Sequence, residues 1–302
     1  MKRNVWLMGL LMLGIGLTLS CSDDDGKNAK DGKVSIYITD APIDDANVDA
    51  VVIAINKIEM KGPDGWETVK EFETPFSINI LDYQNGESYF VTEAEIEAGT
   101  YTEVRLVLEA ADEDDESEEI AGSYIRYKDG SKQALFVPSG STSGYKVKGA
   151  FTLPEEGVVA VTLDFDARRS IVKAGNSGKF LLKPTVRLIA NQEAAIINGH
   201  IAEYDQYAQV VVYAYEKGTY ESDEATSEDG EALFPNAVTS AKVDGAGNFK
   251  LAFLQPGDYD LIVTSNNSDG SFNEVVDRHD GVTLTAGASI NLNISVSLDS
   301  GS

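Results

Sequence analysis

The sequence predicts an all-β chain built as two antiparallel β-sandwiches, and three observations carry that prediction. From Lys33 onward apolar residues recur with period two almost everywhere. No amphipathic stretch continues at helical spacing for more than a few turns. Glycine, proline, asparagine and aspartate cluster about every ten residues, the spacing at which short strands must reverse.

In order along the chain, Val34, Ile36 and Ile38 alternate with Ser35, Tyr37 and Thr39, which predicts a half-buried strand. A second strand runs over 51–55 and on to Ile58 and Met60, and Gly62-Pro63-Asp64-Gly65 then supplies the turn of a hairpin whose return strand is 66–72. Further strands are expected over 76–81, 101–108, 124–127, 135–137, 145–153, 158–165 and 180–189. The segment Thr92-Glu93-Ala94-Glu95-Ile96 is read as one short helix. After the polar Asn191-Gln192-Glu193 a second set begins, with strands over 196–201, 208–215, 238–243, 249–253, 259–265, 274–278, 282–284 and 290–296. The expected units are therefore 33–191 and 194–298. Asp244-Gly245-Ala246-Gly247-Asn248 and Gln255-Pro256-Gly257-Asp258 are the residues that tolerate tight reversals between strands of the second unit.

The N-terminus reads as a processing segment. Lys2 and Arg3 precede an apolar stretch from Val5 to Leu19, too short to span a bilayer comfortably, which is the pattern of a secretory signal over 1–20. Leu17-Thr18-Leu19-Ser20-Cys21 resembles the lipobox of bacterial lipoproteins, which implies lipidation of Cys21 as the mature first residue. Acyl chains contribute about 0.8 kcal/mol per buried methylene, so a multiply acylated cysteine anchors a protein without a transmembrane helix. Ser22, Asp23, Asp24 and Asp25, with Gly26, resemble the export signal that carries Bacteroidetes lipoproteins to the cell surface, and 21–32 reads as an acidic flexible tether. The expected location is the outer membrane, lipid-anchored and facing outward, the periplasmic face being the alternative.

Composition excludes several classes of function. The chain carries 24 basic and 50 acidic side chains, and without Lys2 and Arg3 the balance is 22 against 50. Such a surface repels nucleic acid, which needs clustered lysine and arginine. Cys21 is the one cysteine, so no internal disulfide is possible and stability must come from packed core.

Catalytic chemistry has little to work with. The two histidines, His200 and His279, both fall in the second unit without a partner at metal-binding spacing; His200 reads as a strand-edge residue and His279 as part of a turn. The first unit has no histidine to serve a nucleophile, and among so many carboxylates no pair is singled out. No catalytic residue, no resident metal and no cofactor is expected. Calcium is weighed at Asp40, Asp44, Asp45 and Asp49 around Pro42, and in the run from Asp112 to Glu119, against the reading that these acids cap amides or are solvated. Tyr213 and Tyr215, with Tyr204, Tyr207 and Tyr220 nearby and Trp66 beside its turn, either stack against sugars or partner proteins or simply pack as core.

Two resemblances complete the reading. The run from Ala241 through the 244–248 turn to Phe249, followed by Leu254-Gln255-Pro256-Gly257-Asp258-Tyr259-Asp260-Leu261, with Asn198-Gly199 and the strand ending in Tyr213, resembles the carboxypeptidase-regulatory-like, or transthyretin-like, module. It implies a prealbumin-like sandwich that acts as a spacer or interaction module. The first unit resembles an uncharacterised domain family of Bacteroidetes lipoproteins, through Thr39-Asp40-Ala41-Pro42, Ala98-Gly99-Thr100-Tyr101 leading to Arg105, Asp164-Phe165-Asp166 and Leu182-Lys183-Pro184. That resemblance implies fold and location alone. The expected role is a non-catalytic binding or structural one toward a glycan or surface protein. A carboxylate-based hydrolase and a fibre or adhesin subunit assembled by strand addition are the alternatives.

Overall fold

A computed structural model describes residues 30–42, 47–109, 122–137, 144–226 and 232–296. The described chain is almost entirely β. Its first set of strands is β1 (Asp31–Ala41), β2 (Val48–Gly62), β3 (Gly65–Asn79), β4 (Tyr89–Glu97), β5 (Gly99–Leu108), β6 (Tyr124–Tyr127), β7 (Lys132–Phe136), β8 (Tyr145–Leu153) and β9 (Val158–Asp166). A single helical turn, α1 (Ala167–Ser170), leads into β10 (Ile171–Lys173), β11 (Phe180–Leu182) and β12 (Val186–Ala190). The second set is β13 (Ala195–Ala202), β14 (Gln209–Glu216), β15 (Thr239–Lys242), β16 (Asn248–Leu254), β17 (Gly257–Asn266), β18 (Phe272–Leu284) and β19 (Ser289–Ser295).

Each set forms two sheets around its own apolar core. In the first, a sheet of order β12-β9-β1-β4 faces one of order β10-β11-β7-β6-β2-β5-β8, with β3 added on β2. Ile36 and Leu163 from one sheet meet Ile53, Ile58 and Leu106 from the other, all fully buried. Each such side chain contributes roughly 1.5–3 kcal/mol by leaving water, so this core supplies the stability that disulfides cannot. In the second, β16-β13-β19 packs on β15-β14-β17-β18, with Ile197, Val212, Leu251, Leu261 and Val263 between them. Most pairings are antiparallel, but β1 runs parallel to β9, β7 to β11, and β13 to β19. A two-layer sandwich allows this because its strands can cross from one sheet to the other between pairing partners.

The hairpin turn expected at 62–65 forms, with Gly62 opposite Gly65 and Gly65 at φ 117°, a conformation closed to side chains. Three expectations are corrected. Residues 92–96 are not helical but form the middle of β4, pairing with β1 as Thr92↔Ile36, Ala94↔Val34 and Ile96↔Gly32. Thr92 and Ile96 are buried, whereas Glu93 and Glu95 turn outward to Lys33, so the period is two and cross-strand partners override the helical propensity of glutamate and alanine. The strand expected over 180–189 is broken at Lys183-Pro184-Thr185. Proline has no amide to donate, and there the chain leaves one sheet for the other, with the Lys183 and Thr185 amides donating to Ser170 O and Oγ at 2.8 Å each. His279 lies within a continuous β18 rather than in a turn, because Asp280 and Gly281 form a bulge opposite Asp260, whose carboxylate accepts the Gly281 amide at 2.9 Å.

Candidate functional site

The motifs Thr39-Asp40-Ala41 and Asp164-Phe165-Asp166 end two parallel neighbours, in register Thr39↔Asp164, Asp40↔Phe165 and Ala41↔Asp166. Three carboxyl groups thereby meet in the interior: Asp40, Asp164 and Asp166 are each at most 6% exposed. Asp40 Oδ1 accepts the Ala167 amide at 2.9 Å, and the Gln84 side chain also lies beside the carboxyl. Burial, with Asp166 and Asp164 adding repulsion, pushes the Asp40 carboxyl well above the usual carboxylate range. Burial also raises Asp164, against the opposing pull of Arg187, with which it forms an ion pair.

Asp166 caps α1 by accepting the Arg169 amide at 3.2 Å and pairs with Arg168 at 3.0 Å. Arg168 is buried and donates onward to the Leu233 and Phe234 carbonyls at 2.6 and 2.9 Å, while Arg169 donates to Ala237 O at 3.3 Å. These contacts join the first sandwich to the segment preceding β15 in the second. The carboxyl cluster is thus a structural junction: two of its acids are committed to arginines, and the third is buried.

The same end of β1 positions a surface. Thr39 Oγ1 donates to the Tyr83 and Glu87 carbonyls at 2.9 and 2.7 Å, and the Asp40 amide donates to Tyr83 O at 2.9 Å. The segment so fixed holds aromatic rings at both ends. Phe72 and Phe76 of β3 stack at 5.3 Å, Phe76 lies 5.7 Å from Tyr89, and Tyr89 meets Tyr83 edge-on at 5.3 Å. Tyr89 and Phe90 are 37% and 49% exposed, among the most exposed large apolar side chains described. Tyr89 offers apolar area with a polar rim at the exposed end of this row, while Phe72, Phe76 and Tyr83 are partly buried against the first core.

Between Tyr83 and Tyr89, Asn85 reaches a hollow of about 390 Å³ on the outer face of the β16-β13-β19 sheet. Register there places Lys250, Asn198 and Asn291 side by side in one row, and Asn248, His200 and Asn293 in the next. Neighbouring strands lie about 4.8 Å apart and successive same-face residues about 6.8 Å, so six hydrogen-bonding side chains form a regular grid. The inward faces of these strands carry Ile197, Phe249, Leu251 and Ile294, and Gly199 leaves room for the Phe249 ring. Asp244 is the one carboxylate lining the hollow, beside Lys242 and Lys250. His200 Nδ1 lies 3.3 Å from Asn248 Oδ1.

Other candidates fall elsewhere. Cys21, Ser22, Asp23, Asp24 and Asp25 lie outside the described residues, as do Asp44, Asp45 and the run from Asp112 to Glu119. Asp49 pairs with Arg126 at 2.6 Å, well apart in role from buried Asp40, and among the described residues no group of three or more His, Cys, Asp or Glu is placed to hold a metal ion. Tyr213 and Tyr215 are core: they are buried with Phe234 and Ile262 under the segment that follows β14, and Tyr213 lies 4.4 Å from Phe234. Trp66 is covered by Arg105 at 3.9 Å. The asparagine grid went unread in the sequence, although Asn198-x-His200, Asn248-x-Lys250 and Asn291-x-Asn293 each show the alternation that puts both residues on one face.

Fold and geometry define an all-β protein of paired sandwiches with outward-facing polar and aromatic surfaces. Residues 31–184 match the family described as a domain of unknown function, DUF4382, and the chain belongs to that family. No curated protein matches it. Among solved structures, the chain is similar to the TIE protein of Bacillus anthracis at 12% identity, with 88% of this chain and 34% of that one covered and a TM-score of 0.21. This chain thus spans about a third of that protein's length. It is also similar to the minor pilin of Streptococcus agalactiae at 11% identity, with 87% and 94% covered and a TM-score of 0.21. A third likeness is to the major pilin subunit of Bacillus cereus, at 10% identity, with 88% and 70% covered and a TM-score of 0.22.

Proposed function

We propose that this chain is a lipid-anchored lipoprotein of the outer membrane, displayed at the cell surface, with a non-catalytic role in binding glycan. In this reading its second sandwich is a carboxypeptidase-regulatory-like module. The observation that carries the proposal is the segment 83–89, held by Thr39, which presents Tyr83 and Tyr89 to the aromatic row and Asn85 to the asparagine grid. Sugar rings have an apolar face that stacks on aromatic rings and a rim of hydroxyls. An amide side chain both donates and accepts, as a hydroxyl does, so adjacent asparagines can match neighbouring hydroxyls without any net charge. A neutral partner also suits a chain of net charge −26, from which polyanions are repelled.

The test is binding of the full chain, purified in a non-glycosidic detergent, to an array of neutral oligosaccharides. Tyr89→Ala and Asn198→Ala, each removing one contact type, are expected to weaken the same ligands by about tenfold or more at about 1–2 kcal/mol per contact. Loss of neither, or an array without binders, rejects the glycan role. Anchoring and display are tested separately, by protease treatment of intact cells carrying the native chain or a variant with Asp23, Asp24 and Asp25 replaced by alanine. Cleavage of the native protein and protection of the variant is the expected result. Protection of both, with a periplasmic control showing intact cells, rejects display. At β3, an edge strand of 15 residues, Glu67, Glu71, Glu73 and Pro75 oppose pairing with a further strand, so assembly by strand addition would have to use another edge.

A further inference from the structure

A second opening lies where the two sandwiches meet, and its chemistry is opposite to that of the molecule around it. It is a cleft of about 530 Å³ between β8 and β12 on one side and, on the other, the end of β14, the segment before β15 and the turn between β16 and β17. Its charged lining is Lys148, Arg169, Arg187 and Glu216: three cations to one carboxylate, in a chain with 24 basic and 50 acidic side chains. Asn236 and Tyr259 add polar groups to the walls.

These cations are held in place without being used up. Arg187 pairs with Asp164 through Nη2 alone, and Arg169 uses Nη1 on Ala237 O, with Nε 3.9 Å from Asp166. A guanidinium has five donors, so each arginine keeps several for a ligand while its partner fixes its position. Their side chains are 25% and 33% exposed, half-withdrawn into the walls where solvent weakens their field least. Lys148 is exposed and stands across from Glu103, whose carboxylate is paired with Lys61 at 2.7 Å.

We propose that this interdomain cleft is a binding site for a small oxyanion, with room for an acid the size of a single sugar. Lys148 supplies the mobile charge, and Arg169 and Arg187 supply preoriented forks that match carboxylate or sulfate oxygens. A domain interface is where ligand pockets preferentially form, and a lining with more cations than carboxylates favours an anion inside a cleft even when the whole chain carries the other sign. The proposal does not depend on glycan binding at the hollow.

The experiment titrates the full chain, in detergent at low ionic strength, with glucuronate, inorganic sulfate and glucose. Four variants are compared: Lys148→Glu, Lys148→Gln, Arg169→Gln, and Lys128→Glu as a charge-matched control on an exposed lysine outside the cleft. Glucuronate or sulfate is expected to bind where glucose does not, and the anion bound identifies carboxylate or tetrahedral chemistry. Lys148→Glu and Arg169→Gln are expected to weaken it by about tenfold or more, since each removes a charge-assisted contact, while Lys128→Glu leaves it nearly unchanged. Because Lys148 stands across from Glu103, Lys148→Glu should lower the unfolding midpoint slightly, whereas Lys148→Gln, which puts no like charge there, should keep the native midpoint and still weaken the anion. Absence of anion binding, equal binding of glucose, or an equal loss in the Lys128→Glu control overturns the proposal.

Discussion

Replacing Arg168 with methionine isolates the contact that ties the two sandwiches together. The side chain is 6% exposed and reaches three acceptors, Asp166 at 3.0 Å and the Leu233 and Phe234 carbonyls at 2.6 and 2.9 Å, with its guanidinium 5.2 Å from the Tyr213 ring. Methionine fills much of the same volume but donates nothing. Two carbonyls and part of a carboxylate would then be left buried without donors, and breaking one partner of a buried ion pair costs about 3–5 kcal/mol. At roughly 2–4 °C per kcal/mol for a chain of this size, Tm should fall by about 10 °C. The assay is urea or thermal unfolding followed by fluorescence of Trp66, which lies in the first sandwich, and by far-ultraviolet circular dichroism, which reports both. Coincident transitions in the native chain should separate in the variant, because the junction that couples the sandwiches is gone. A double-mutant cycle with Asp166→Asn should return a coupling of about 1.5 kcal/mol or more. A variant within about 1 kcal/mol of the native chain, with no coupling, would refute the assignment of this junction as the link.

Asp40 predicts a pH dependence. Its folded carboxyl sits above the unfolded value of about 3.9, so the stability tied to its neutral form is complete below that pH and is lost as pH rises through the raised folded value. Asp40→Asn keeps an oxygen for the Ala167 amide and removes the charge, so its unfolding midpoint should decline less between pH 4 and 8 than that of the native chain; parallel declines would contradict the reading. Gly199→Ala places a methyl 2.1 Å from the Phe249 ring and should cost about 1–3 kcal/mol in denaturant unfolding, partly restored by Phe249→Leu. Tyr215→Phe deletes the 2.9 Å hydrogen bond to buried Glu224, which also accepts from Asn236, and should cost about 1–2 kcal/mol in the same assay.

Local information in the chain suffices for much of the architecture. Alternation over 34–38, 101–108 and 145–153 marks strands because a pleated backbone sends successive side chains to opposite faces, and Gly62-Pro63-Asp64-Gly65 marks its hairpin because few other residues adopt that turn. Charge balance and the single cysteine likewise need no coordinates. What the tertiary structure decided is which strands became neighbours. Thr92-Glu93-Ala94-Glu95-Ile96 carries good helix formers and a period-two pattern at once, and pairing with β1 chose between them. Asp40 and Asp164 are 124 residues apart, and only the parallel β1–β9 register brings their carboxyl groups into one buried cluster. The asparagine grid draws on three strands and the cationic cleft on both sandwiches, so neither leaves a contiguous motif. Strand alternation says which face a side chain takes; hydrogen-bond register between distant strands says what stands beside it, and that is settled only when the whole core packs.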